Sequence, residues 1–451
     1  MRDHHTPGPD RAQSTGPTRR RLVAGLGGLA VPRAEAGRPP REPPPEPPRA
    51  GDRPPGEVAQ DEVFWRRVAR CYAVSGDFVN LENGYYGIMP EPVRIAHQHN
   101  TERLNRLNSR LLRGSYKEEV EQVRARIADL AGVAKEEIAL TRCGTEALQN
   151  LIGGYNRLRA GDAVMYSDLD YHSAQWAMNW LRERRGVRVV RITMPEPATR
   201  DAVLDTYARA LDADPGVRLL LLSHLNNRTG LVLPVAPIVA MARRRGVDTV
   251  VDAAHSWGQL DFGIPDLGAD FAAFSLHKWL NAPLGTGFLY IRRGRLADID
   301  RTFADETHPA DDIRSRVHSG TTDVAPMLTV PAAVDFHRAV GGAAVKQARL
   351  RHLRDRWVAA ARRTGGIEIL TPDEEGAYGA LTAFRVRGRT SEADNTAIVR
   401  HLLDRYRVFT VRRGGPAAGD CVRVTPALYT RAEDVDLLGA ALHDVAARFA
   451  V

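Results

Sequence analysis

From residue ~118 onward the apolar positions of the chain switch repeatedly between two spacings. EEVEQVRARIADLAGV places them at helical intervals, EEIALTR is a short strand-like run, TEALQNLIGGYNRL returns to the helical period, and DAVMYSDL to a strand. VRVVRI, VRLLLLSHL, VDTVVDAAH, DFAAFSLHK and GFLYIRR follow, with helical stretches such as PVAPIVAMARRRG between them. Near-continuous Val, Leu and Ile runs separated by helices predict an α/β architecture with a mainly parallel sheet covered on both faces. Past residue ~330 the texture changes. PAAVDFHRAVGGAAVKQARLRHLRDRWVAAARR reads as helical, ALTAFRVRG, RVFTVRR and DCVRVTPAL as strands, and a closing helix spans residues 432–449. This predicts a smaller α+β domain.

Open parallel sheets bind ligands beyond the carboxyl ends of their strands. The polar residues to inspect are therefore Thr141–Thr145, Asp168–His172, His224–Asn227, Asp252–His255 and Ser275–Lys278. Asp252 closes an apolar strand, where a lone carboxylate is costly, and Lys278 in FSLHKWLNAP closes the following one. A carboxylate facing a protonated pyridine nitrogen and an amine able to form a Schiff base are the two protein groups that pyridoxal phosphate requires. Cys143-Gly144-Thr145-Glu146 opens a helix straight after a strand, offering free N–H groups and the positive helix end to a phosphate. Ser275 and His277 add phosphate donors, Tyr171 a flat face for the ring, and Asn227 and His255 partners for a ring hydroxyl. Each has a plainer use alone: GTEAL as a capped helix start, Tyr171 as a core aromatic, His224 and His255 as structural histidines, Asp252 as a strand-end turn. The combination is what is specific.

Composition narrows the function classes. The formal charge of +8 comes from arginines scattered along the whole chain and balanced locally by Asp and Glu, which describes a solvated surface rather than a nucleic-acid footprint. No run approaches the ~18–20 apolar residues of a membrane span. Cys71, Cys143 and Cys421 are odd in number and widely spaced, against a metal knuckle or a disulfide framework. TRRRLVAGLGGLAVPRAEAG carries Arg19, Arg20 and Arg21, a short apolar run and a small-residue cleavage site within residues 1–36, the layout of a twin-arginine export signal. Residues 37–57 are proline-rich and read as a disordered linker. The alternative is a leader without export function and a cytoplasmic protein.

GTEALQNL, SDLDYHSAQWAMNWL, SHLNNRTGLVLPV, VVDAAHSWGQLDF, FSLHKWLNAPLGTGFLYIRR and SGTTDVAPMLTVPAAVDF together resemble the class V aminotransferase family of fold-type I pyridoxal-phosphate enzymes, in its isopenicillin N epimerase-like branch. The resemblance implies an N-terminal segment lining the active site (58–94), a large cofactor-binding domain with a seven-stranded sheet (95–330) and a small C-terminal domain (331–451). It implies Lys278 as the Schiff-base lysine, Asp252 as the pyridinium partner, and Gly144, Thr145, Ser275 and His277 at the phosphate. Tyr171 falls where cysteine desulfurases of the class have a stacking histidine. Thr321 matches a residue that reaches the neighbouring subunit's phosphate, implying a homodimer with shared sites. Arg423 matches the arginine that forks onto a substrate α-carboxylate, and Tyr85 and Tyr86 fall in the segment lining the substrate pocket. GGPAAGD lacks the nucleophilic cysteine that desulfurases carry on this loop. The reaction implied is epimerisation or transamination at the α-carbon of an amino acid or a derivative. A β-lyase is the alternative, and a non-catalytic cofactor-binding regulator the rival from another class.

Overall fold

A computed structural model of the chain describes residues 46–450, excepting 305 and 319. The leader with its arginine triplet lies outside the described residues. The alternating periods resolve into one seven-stranded sheet: β1 (Ile138–Thr141), β2 (Ala163–Ser167), β3 (Arg188–Ile192), β4 (Val217–Ser223), β5 (Asp248–Asp252), β6 (Phe271–Ser275) and β7 (Gly287–Ile291), in the order β1-β7-β6-β5-β4-β2-β3. Only β7 runs against its neighbours, pairing antiparallel with both β1 and β6. The connecting helices include Gly144–Gly154, His172–Arg185, Arg200–Ala213 and Val235–Arg244.

The near-continuous apolar strands are explained by burial on both faces. Successive residues of one strand enter opposite cores: Leu220, Leu222, Val251, Phe274 and Phe288 pack on one side, Leu219, Leu221, Val250, Ala273 and Leu289 on the other. Under the carboxyl ends of β5 and β6, Phe274 and Phe288 stack with ring centroids 4.3 Å apart, and Trp257 meets Phe288 edge-on at 5.2 Å. This aromatic cluster is the floor on which the loops after β5 and β6 rest.

A second, antiparallel sheet contains β8 (Ile367–Ile369), β9 (Thr382–Val386), β10 (Val411–Arg413) and β11 (Cys421–Val424), in the order β10-β11-β9-β8. Helices Gly342–Arg363 and Ala432–Arg448 cover it, and Val422 and Val424 join Trp357, Phe384 and Leu438 in its core. The alternate residues Cys421 and Arg423 face the other way. Val79–Asn80 pairs in parallel with Val408–Phe409, which delivers the following residues of the N-terminal segment to the same place.

Two expectations change. The helical stretch of residues 331–363 is two helices, Ala325–Ala339 and Gly342–Arg363, because Gly341 (φ 103°) and Gly342 (φ 68°) hold left-handed conformations that turn the chain. The linker does not extend to residue 57. Ala50 is buried and its N–H donates to Ala339 O at 3.1 Å, and a short helix begins at Pro55, where a proline's fixed φ suits the first turn. Among the described residues no helix is long and apolar enough to cross a membrane, and the three cysteines are unpaired.

Replacing Phe288 by Ala empties the centre of the aromatic floor, where the ring is fully buried. The expected loss is about 3–5 kcal/mol of unfolding free energy, measured by denaturant titration; a loss within 1 kcal/mol, roughly the size of a surface change, would contradict the packing role.

Candidate active site

The parallel sheet brings the carboxyl ends of β1, β4, β5 and β6 to one edge, and a cavity of about 270 Å³ opens there. Lys278 and Asp252 both line it. Asp252 is the last residue of β5, beside Ser223 at the end of β4. Its Oδ1 accepts the N–H of Ala254 at 2.9 Å, which fixes the carboxylate at the strand end. Burial raises its pKa, opposed by the Lys278 charge.

Lys278 follows β6 on a tightly held loop. Leu276 N–H donates to Thr286 O at 3.1 Å, and Asn281 Nδ2 to Lys278 O at 3.1 Å. The N-terminal segment clamps this loop from outside, with Gly87 N–H on His277 O at 2.8 Å. A Cβ on Gly87 would lie 2.3 Å from Lys278 O, so the close approach requires glycine. Enclosure by protein lowers the amine to about 8; Asp252 pulls it up, and Arg423 and Arg413 push it further down. An amine so placed is a nucleophile near neutral pH.

The phosphate expectation rests on the start of helix Gly144–Gly154. Gly144 N–H donates to Ser275 Oγ at 3.1 Å, and a Cβ on Gly144 would meet that oxygen at 2.8 Å, so the helix end and β6 touch through a glycine. Thr145 and His277 line the cavity beside them. His277 Nδ1 lies 3.1 Å from Thr286 O, and desolvation lowers the ring to about 4, leaving Nε2 without its proton until an anion arrives to restore it.

Asn227, His255 and Tyr171 complete the wall. Asn227 Oδ1 and His255 Nδ1 are buried without a hydrogen-bond partner, and two such atoms aimed into one cavity call for a polar ligand. Desolvation, with Lys278 next in effect, pushes His255 well below its ordinary value, so it is neutral and able to donate or accept one bond. Tyr171 is half-buried at the cap of helix His172–Arg185, with its ring centroid 4.5 Å from that of His172. These features fit pyridoxal phosphate: an acidic partner, an amine, a helix end flanked by hydroxyls, an aromatic face and unmet polar atoms.

Tyr85 lines the cavity mouth, whereas Tyr86 does not reach it and is exposed. Thr321 is exposed and lies outside the cavity. Arg423 lines the cavity but is almost wholly buried. Its Nη1 donates to Asn227 O at 2.7 Å, and its Nη2 pairs with Glu82. Burial lowers it to about 10, against the pull of Glu82. Glu82 also meets Arg413, at 3.4 Å. Glu82 and Arg413 were not legible as site residues. Glu82 sits in the LENGYYG stretch, yet its partner is 341 positions away. Arg413 belongs to an Arg-Arg pair whose inward member depends on strand register. His172 and Leu284 also line the cavity, at its exposed rim. Cys421 does not line it. Its thiol is buried, approaches Arg413 O at 3.6 Å, and is pushed up to about 12 by desolvation. Asp168 and Asp170 bind backbone N–H groups of Met194, Ser167 and Ser223, so they brace strand ends.

Residues 94–438 match the aminotransferase class-V family. The chain is 32% identical over 337 residues, 71% of its length and 83% of the relative's, to the isopenicillin N epimerase of Streptomyces clavuligerus. It is 28% identical over 417 residues, 85% of its length and 99% of the relative's, to a probable cysteine desulfurase of Methanothermobacter thermautotrophicus. Among solved structures, a cystine C-S lyase in complex with its product cysteine persulfide superposes with a TM-score of 0.72, at 24% identity, over 82% of this chain and 98% of that one.

Asp252→Asn removes the neighbour that does most to hold the Lys278 proton on. In the cofactor-free protein, the midpoint for chemical labelling of Lys278, near pH 8, is expected to move down. An unchanged or raised midpoint would show that the two groups do not sense each other.

Proposed function

The chain belongs to the class V aminotransferase family, and from that premise we propose that it is a pyridoxal-phosphate enzyme acting at the α-carbon of an amino acid or an amino-acid-derived metabolite, as an epimerase or aminotransferase. The observation that carries this reading is the placement of Lys278 and Asp252 beyond the ends of two neighbouring strands, lining one cavity.

When bound, the cofactor supplies an electron sink that stabilises negative charge at the substrate's α-carbon. The chain supplies the rest. Lys278 Nζ would hold the cofactor aldehyde, and Asp252 would hold the proton on the ring nitrogen, since a buried carboxylate has no better partner than a buried cation. Gly144, Thr145, Ser275 and His277 would bind the phosphate, Tyr171 would cover one ring face, and Asn227 and His255 would bond the ring hydroxyl. Freed by the substrate amine, Lys278 at about 8 is matched to take and return a proton at the α-carbon near neutral pH. Arg423, with Arg413 beside it, forms the cationic end suited to a carboxylate.

A β-lyase reading uses the same residues and is supported equally by the desulfurase and lyase relatives. Desulfurase chemistry through a persulfide is disfavoured, because residues 414–420 contain no cysteine and Cys421, on the same face as Arg413 and Arg423, is buried behind them and does not line the cavity. A homodimer is supported by apolar side chains left exposed, Tyr85 and Leu284 at the cavity and Trp176 and Trp180 along helix His172–Arg185, and by the outward position of Thr321. Export through the leader belongs to the same proposal and rests on residues 1–36 alone.

Incubating the cofactor-loaded protein with separate L- and D-amino acids in deuterium oxide tests the reading. Deuterium at the α-carbon is expected, with the opposite enantiomer as product for an epimerase and a keto acid for an aminotransferase. Sulfide or another released β-substituent would instead mark the lyase. No exchange with any amino acid would overturn action at the α-carbon.

Cys421→Ala is expected to keep the wild-type rate within about twofold, since a 1.4 kcal/mol change would already be tenfold. Loss of turnover in a well-folded variant would return the thiol to the mechanism.

A further inference from the structure

The Arg423 guanidinium, expected to be open for a substrate, already has a carboxylate. Glu82 pairs with it, is itself mostly buried, and touches Arg413 through the same oxygen, Oε1. The strand register explains the grouping. Arg423 sits opposite Val411 and Arg413 opposite Cys421, so both arginines project from one face of the β10-β11 pair, toward the cavity. Glu82 arrives from the far N-terminal segment, held by the bridge to Thr425 and by Asn80 Oδ1 accepting its N–H at 3.0 Å. Two guanidinium charges face one carboxylate, leaving one positive charge unbalanced. The hydrogen bonding is equally incomplete: Glu82 Oε2, Arg413 Nε and Arg423 Nε are buried without partners. Gly84 closes the other side, since a Cβ there would lie 2.7 Å from Arg423 Nη2, so the guanidinium has little room to swing away.

We propose that Glu82 is an internal stand-in for the substrate carboxylate: it holds Arg423 in the resting site and passes to Arg413 when an amine bearing one carboxylate enters. A buried arginine left without an anion is costly, so a resident carboxylate keeps the cluster folded while the site is empty. Exchange of one carboxylate for another on Arg423 loses no pairing there, and the Arg413 contact, long at 3.4 Å, has room to tighten onto Glu82 as the substrate takes its place. With the substrate bound, two arginines face two carboxylates and the cluster is neutral. An amine without a carboxylate leaves Glu82 where it was and gains nothing. Glu82 and Arg413 are thus specificity-determining residues for an α-amino acid over a simple amine. The inference rests on the function proposed above.

The test titrates the holoenzyme's visible absorption with L-alanine and, separately, with ethylamine, which lacks the carboxylate. Glu82→Gln removes the competing charge, so half-saturation by L-alanine is expected to fall roughly tenfold, as suits one charge-assisted hydrogen bond, with ethylamine unchanged. Arg413→Gln leaves Glu82 no second host, so half-saturation by L-alanine is expected to rise roughly tenfold or more, again without effect on ethylamine. Ethylamine binding and thermal melting report whether each variant keeps its site. Glu82→Gln weakening or not altering L-alanine binding, or Arg413→Gln matching wild type or shifting both ligands alike, would overturn the stand-in role while leaving the functional reading intact. A wild-type holoenzyme indifferent to both ligands would overturn the functional reading, and this inference with it.

Discussion

An amine and a carboxylate enclosed in the same cavity, at the ends of adjoining strands, are the constraint on which the rest of the structure depends. Neither is comfortable there. Desolvation drives the Lys278 amine toward losing its proton and the Asp252 carboxyl toward keeping one, and each is the other's main relief. Such a pair is weak evidence for stability, since well-packed apolar residues would serve a core as well or better. It is good evidence for chemistry, because perturbed titratable groups gather where protons and electron pairs are moved.

The surrounding architecture reads as the means of holding that pair. A parallel sheet buried on both faces gives β5 and β6 fixed ends, and the Phe274–Phe288 stack supports the loops that leave them. Gly87 lets the N-terminal segment close on the backbone of Lys278, and the parallel pairing of Val79–Asn80 with Val408–Phe409 fixes where that segment lies. The same pairing carries Glu82 to Arg423. One strand contact therefore links the lysine loop, the aromatic rim at Tyr85 and the carboxylate end of the cavity.

What was legible in the sequence follows from the range of the interactions. The strands of the large sheet are apolar on both faces, so their runs of Val and Leu announce themselves, and the polar residues that close them, Asp252, Ser275 and Lys278, stand out by contrast. Gly144, Thr145, Tyr171, Asn227 and His255 fall on those strand ends and do line the cavity. Glu82 and Arg413 escaped because their meaning lies in a pairing across most of the chain and in the register of a three-residue strand, neither of which leaves a local pattern. Tyr86 shares its neighbour's sequence context but points elsewhere, and a proline-rich composition concealed that Ala50 and the helix from Pro55 pack onto the body of the protein. Thr321 stands apart, since its expected role needs a second copy of the chain.

The central claim is chemical and local: one particular amine holds the cofactor. Loading the protein with pyridoxal phosphate, reducing it with borohydride and mapping the modified peptide by mass spectrometry measures this directly. The account predicts the reduced pyridoxyl group on Lys278 in FSLHKWLNAP, and none after Lys278→Ala. A colourless protein with no fixed adduct, or an adduct on the other buried lysine, Lys346, would contradict it.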